Sequence, residues 1–190
     1  MPIFFGLNGD WNTPSDRFYQ IRQLNYESEN LSPALVRLIS SDVRMVSGRY
    51  SNPYCYESGA YTTCESPIPL ADGMQAWTPG IDPYIKKITQ TNLSAQNDGL
   101  PGDVLVGYFK PLHEAFDGSA YTDEIYFMIV NSMAFQEASS EETRQEIVVD
   151  FDFSGTSINS LQRLNRYSGG VETIPLESVG GSQYRLTLHY

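Results

Sequence analysis

The chain has 190 residues, with 23 acidic against 12 basic side chains and a net charge of −11. One domain with a sizeable core fits that length, whereas a complete (β/α)8 barrel needs roughly 250 residues. The charge opposes a nucleic-acid partner, because such affinity rests on Lys and Arg neutralising phosphates. With 41% hydrophobic and 18% charged residues the chain is not of disordered composition. Thirteen Tyr and nine Phe point to a β-rich fold. No apolar run reaches the ~18 residues of a membrane span, and the first residues lack the basic-then-apolar order of a secretory leader.

Residues 1–12 are rich in Gly and Asn after the apolar Ile3-Phe4-Phe5, and they hold Trp11. Thr13-Pro14-Ser15-Asp16 reads as a helix start, with Thr13 as N-cap, Pro14 at the first position and Asp16 at the positive end of the dipole. Phe18, Ile21 and Leu24 follow at helical spacing, and Leu31, Leu35 and Leu38 continue it. Ser32-Pro33 reads as a kink or as a fresh N-cap. One helix, or a pair, is therefore predicted over about 14–40. Its apolar stripe has little to bury against in its own segment. It is expected to pack on the β part of the chain or on a second copy.

Residues 50–82 show no clear period and read as one long irregular loop, of the kind that is usually functional or disordered. Tyr50, Tyr54, Tyr56 and Tyr61 crowd it, with Trp77 further on. Aromatic rings on polar loops stack on sugar faces, so Tyr54, Tyr56, Tyr61, Trp77 and Trp11 are the carbohydrate-binding candidates. The alternative is that these rings pack the loop onto the body. Cys55 and Cys64, nine positions apart in polar surroundings, are a candidate disulfide of an exported protein, against two independent thiols. Zinc finds no support there, since no His is near and four ligands are needed.

From about residue 83 the pattern turns to strands. Candidates are Tyr84–Thr91, Val104–Lys110 (apolar on both faces), Ile125–Asn131, Ile147–Phe153, Leu161–Arg166, Val171–Leu176 and Tyr184–Tyr190. Asp117-Gly118 and Tyr167-Ser-Gly-Gly170 are turn signals between them. The predicted fold is mainly β: an antiparallel sandwich of about seven to eight strands with an N-terminal amphipathic helix or helix pair.

No catalytic motif emerges. His113 and His189 lie on a connector and on the polar side of the terminal strand, without a Gly-x-Ser-x-Gly nucleophile. Acidic pairs such as Asp10 with Glu27, or Asp117 with Glu124, have no motif around them and read as solvated carboxylates. Gly169-Gly170 and Gly180-Gly181 lack the Lys-Ser/Thr of a phosphate loop. No catalytic residue, cofactor or metal site is assigned.

Tyr19-Gln-Ile-Arg-Gln-Leu-Asn-Tyr-Glu27, Leu31-Ser-Pro-Ala-Leu-Val-Arg-Leu38 and Ser40-Ser-Asp-Val43 resemble the last barrel helix of bacterial barrel-type glycoside hydrolases of the β-galactosidase-like and agarase-like kind. Asp103–Phe109, Asp117-Gly118, Tyr126–Asn131 and the region from Gly169 to Leu188 resemble the C-terminal sandwich of such enzymes. The resemblance covers most of 13–190. It departs from the family in lacking the barrel strands that carry the two carboxylates, and the final strand after a Pro-Gly turn. The Tyr/Cys-rich loop at 50–64 lies outside the pattern. No catalytic residue carries over.

The resemblance implies residues 1–42 as the helical remnant of a barrel domain and 43–190 as a C-terminal β-sandwich with a long loop at 50–82. It implies a piece of a larger secreted bacterial protein, extracellular or periplasmic, and the abrupt first and last residues agree. The implied role is a non-catalytic accessory domain that buttresses a catalytic barrel. An independent carbohydrate-binding module is the alternative, and a small stand-alone hydrolase a further one. Expected partners are the catalytic barrel, a polysaccharide, or a second copy through the stripe at 14–40, with neither nucleic acid nor membrane.

Overall fold

The computed structural model describes residues 13–49, 54–57, 60–63, 70, 73–112, 126–135 and 138–190. Helix α1 (Asp16–Leu35) precedes the strands β1 (Leu38–Val46), β2 (Tyr54–Glu57), β3 (Ala60–Thr63), β4 (Gln75–Ala76), β5 (Ile85–Asn92) and β6 (Val104–Pro111). After them come β7 (Tyr126–Asn131), β8 (Gln145–Asp152), β9 (Leu161–Leu164), β10 (Val171–Ile174), β11 (Glu177–Gly180) and β12 (Gln183–His189).

One sheet has the order β4-β1-β6-β7 and a second the order β11-β12-β8-β5. All pairings are antiparallel except the two-residue parallel contact of β4 with β1. The sheets face each other across an apolar interior. Val104, Val106 and Tyr108 of β6 and Ile129 of β7 enter from one side. From the other come Ile85 and Ile88 of β5, Ile147, Val149 and Phe151 of β8, and Leu186 of β12. Each fully buried aliphatic of this kind contributes roughly 1.5–3 kcal/mol. The chain is thus a β-sandwich with one N-terminal helix, as its strand patterning predicts.

The β8 alternation is the plainest case of sequence becoming structure. Gln145, Ile147, Val149 and Phe151 are buried, and the residues between them are half-buried. Phe151 continues into a row of rings, 6.0 Å from Phe127 and 5.5 Å from Phe153, which lies 5.5 Å from Tyr184. The predicted hairpin at 161–176 is present as β9–β10. Gly169 takes a left-handed φ of 68° in its turn, a conformation glycine adopts without steric cost.

Several expectations are corrected. The N-cap of α1 is Ser15, not Thr13: its hydroxyl accepts the Phe18 N–H at 3.3 Å. The helix is single and runs through Pro33. Proline leaves the Glu29 carbonyl without its usual donor, and the Ser32 hydroxyl supplies one at 3.1 Å. The helix ends at Leu35 rather than near 40. Leu38 is the first strand residue of β1, which pairs with β6 from Leu38↔Pro111 to Val46↔Val104. Residue 42, where the resemblance sets its boundary, lies within β1. The segment 50–82 is not structureless either, because it contains the β2–β3 hairpin and β4. β11 was not predicted at all.

Among the described residues nothing covers most of the α1 stripe, and only Leu31 of its helical positions is half-buried. Phe18, Ile21 and Leu24 are 40%, 47% and 62% exposed, and Leu35 is exposed as well. The helix is tethered near its C-terminal half instead. Asn30 Nδ2 donates to the carbonyls of Arg166 and Tyr167, both at 3.0 Å, and the Arg166 guanidinium lies 3.5 Å from Glu27. These polar ties to the β9–β10 turn hold the helix while leaving its apolar side outward.

Candidate functional site

Two polar clusters interrupt the interior. Asp82, just ahead of β5, is buried. Its Oδ1 accepts the backbone N–H groups of Tyr84 (2.8 Å) and Ile85 (2.6 Å), the first being the turn that Asp makes with the residue two positions on. Its Oδ2 accepts the Tyr108 hydroxyl at 2.8 Å, and that hydroxyl accepts the Trp77 indole N–H at 3.0 Å. Tyr108 belongs to the first sheet, while Asp82 leads into the second. One carboxylate therefore ties the two sheets together. Burial first, and then the bond to Asp82, push the Tyr108 phenol above the ordinary tyrosine value.

Asp42 and Arg44 of β1 stand opposite Tyr108 and Val106, on the same face of the sheet. Arg44 Nε donates to Asp42 at 2.6 Å, and its Nη1 donates to Gln75 of β4. This margin of the sandwich thus gathers Asp42, Arg44, Gln75, Trp77, Asp82 and Tyr108.

The second cluster closes one end of the sandwich. Gln145 is fully buried; its Oε1 accepts the Gly102 N–H at 2.7 Å and its Nε2 donates to Asn131 Oδ1 at 2.8 Å. Asn131 Nδ2 donates to the Thr143 carbonyl at 2.8 Å. Gly48 and Gly102 are required here: a Cβ on Gly48 would overlap the Gly102 backbone, and one on Gly102 would lie 2.5 Å from Met133 Cβ. Asn97, with φ 57° and buried, donates to the carbonyls of Arg49 (2.7 Å) and Leu100 (2.8 Å).

These arrangements tie structure together. Among the described residues no buried side-chain polar atom lacks a partner. Both Asp82 oxygens are engaged, and Tyr108 is held neutral. Among the described residues no group of three or more His, Cys, Asp or Glu is placed to hold a metal ion.

The aromatic candidates separate. Trp77 is half-buried against the core, with its N–H committed to Tyr108, so it is a packing residue of the sandwich margin. Tyr54, Tyr56 and Tyr61 lie on β2 and β3. The register sets Tyr56 opposite Tyr61 with Tyr54 two residues away, so the three positions share one face of that hairpin. Cys55 stands opposite Thr62 in the same ladder. Trp11, Cys64 and His113 lie outside the described residues. His189 is exposed on β12, 3.9 Å from Glu146 on the neighbouring strand. Two surface hollows run along α1, one beside Phe18, Ile21, Arg22 and Asn25, the other beside Tyr19, Gln23, Tyr26 and Glu29.

Asp82, Tyr108 and Gln145 were not singled out from sequence. A signal existed for two of them. Asp82-Pro83 follows Gly80 as turn chemistry, and Gln145 shares the inward parity of Ile147 and Val149. Neither scanning protein-family models nor comparing the chain with curated proteins and solved structures returned a match.

Proposed function

We propose that this chain is a non-catalytic accessory β-sandwich of a bacterial glycoside hydrolase, and that it holds the catalytic barrel through α1. The observation that carries this reading is the outward apolar side of α1: Phe18, Ile21 and Leu24 exposed, flanked by two hollows, on a helix that polar bonds tie to the β9–β10 turn. A helix with such a side reaches its stability by covering it. The glycosidase connection rests on the resemblance of most of residues 13–190 to the helix-plus-sandwich end of those enzymes. The test is co-expression with a catalytic barrel domain of the resembled enzyme class. Co-purification that is lost in Ile21→Asp/Leu24→Asp, together with no turnover of aryl glycosides by the chain alone, supports the reading. Turnover by the isolated chain overturns it.

A second reading, a carbohydrate-binding module, is favoured by the shared face of Tyr54, Tyr56 and Tyr61. It predicts retention on polysaccharide columns that is lost in the triple Tyr→Ala variant. The position of Trp77 against the core weighs against its taking part in such a surface.

A further inference from the structure

The four outer strands of the two sheets differ in how they are guarded. An edge strand offers unpaired N–H and C=O groups, and natural proteins blunt it with shortness, charge, proline or a bulge. β4 is two residues long. β5 carries Lys86 and Lys87, follows Pro83 and bulges between Ile85 and Lys87. β11 carries Glu177 and is irregular between Ser178 and Gly180.

β7 has none of these devices. Its sequence is Tyr-Phe-Met-Ile-Val-Asn, without charge or proline, and its register with β6 is uninterrupted over six residues. Among the described residues it pairs with β6 alone. The Ser132 N–H donates to the Asp103 carbonyl at 3.0 Å, which sets the parity of the ladder. Met128 and Val130 turn their backbone groups toward β6, whereas Phe127 and Ile129 turn theirs to the far side. The side chains of Met128 and Val130 stand on the outer face, 38% and 40% exposed.

We propose that β7 is an interaction edge, and that its partner is β7 of a second copy, antiparallel across a two-fold axis. Charge selects this partner. A chain of net charge −11 repels its own copies, so a self-contact is least opposed where it carries no charge. Of the outer strands longer than two residues, β7 is the one where self-pairing sets no charges opposite one another, unlike the lysines of β5 or Glu177 of β11. Symmetry agrees, since an antiparallel strand pair about its midpoint is self-complementary. Pairing centred on Ile129 sets Met128 opposite Val130 of the second copy, and Phe127 opposite Asn131. It joins the two β4-β1-β6-β7 sheets into one, and Val43, Met45, Leu105 and Phe109 extend its outer apolar strip on each side. A two-fold contact of this kind closes at two copies and leaves no further β7 edge.

The test is sedimentation equilibrium on the full chain, with amide hydrogen exchange on the same samples. A dimer is expected, with the Phe127 and Ile129 amides more protected as concentration rises. Val130→Lys, and separately Met128→Lys, set a lysine against the apolar strip of the second copy. They should abolish the dimer over the concentration range in which the wild type shows it. Both side chains point away from the core, and circular dichroism checks that the fold is kept. Ile21→Lys on α1 should leave the dimer intact. A wild-type chain that stays monomeric overturns the proposal. So does a dimer that survives both β7 lysines, one that only Ile21→Lys dissolves, or one in which the two amides gain no protection. Binding of an unrelated β-strand peptide by a monomeric chain would mark β7 as an edge for another partner and likewise overturn the self-pairing.

Discussion

The sandwich interior and helix α1 use similar apolar side chains to opposite ends. In the interior, Val104, Val106, Ile147 and Val149 are wholly shielded from water, and the polar groups among them are tied by Asp82 and Gln145. On α1, Phe18, Ile21 and Leu24 occupy one stripe and remain exposed. An apolar residue stabilises the fold only where something covers it. Periodicity reports that a face is apolar, and leaves open what lies against it.

The comparison can be broken from its strong side first. Phe151→Ala should cost about 3–5 kcal/mol in urea unfolding, because the ring is buried between Phe127 and Phe153. Asp82→Ala leaves two N–H groups and the Tyr108 hydroxyl without their acceptor and should cost roughly 2–4 kcal/mol by the same measurement. Asn30→Ala removes two bonds of the helix tether and should cost about 1 kcal/mol, with faster amide exchange confined to α1. Leu24→Ser should change the stability of the monomer by no more than about 0.5 kcal/mol. A loss near that of Phe151→Ala would mean that the stripe is covered after all.

A pH series sharpens the same contrast. The folded phenol of Tyr108 titrates above its unfolded value, chiefly through burial. Its contribution is therefore complete below the ordinary tyrosine pKa near 10 and drains as pH rises beyond it. Tyr190 is shifted upward for the same first cause and adds to the effect. Stability should fall above about pH 10, and Tyr108→Phe should flatten that fall without removing it, as read from urea midpoints across the alkaline range. An unchanged alkaline slope in Tyr108→Phe would deny the phenol its sheltered place.

The neighbourhood of residues 30–46 shows where legibility stopped. Leu31, Leu35 and Leu38 keep helical spacing, so the pattern alone runs a helix to about 40. The backbone instead leaves the helix after Leu35, because Leu38–Val46 finds a full antiparallel partner in β6. Pro33 left one helix or two open, and the single helix runs through it because a hydroxyl one residue away supplies the donor that proline lacks. The β2–β3 hairpin was hidden because Glu57-Ser-Gly-Ala60 lies among so many polar residues that no alternation stands out. Of the aromatic candidates, Trp77 looked like any loop aromatic until its indole N–H was seen on Tyr108.

The order of residues by itself determined the β character, seven of the strands, the β9–β10 turn and the existence of α1. Each rests on spacing within a few residues, and such spacing is written in the chain. Tertiary structure alone decided that Leu38 begins a strand, that Asp82 joins two sheets, and that β7 is an outer strand among the described residues. It also decided that the apolar side of α1 faces outward. Those outcomes depend on which distant segment lies alongside: Asp82 and Tyr108 are remote in the chain, and only the packing of one sheet on the other makes them neighbours.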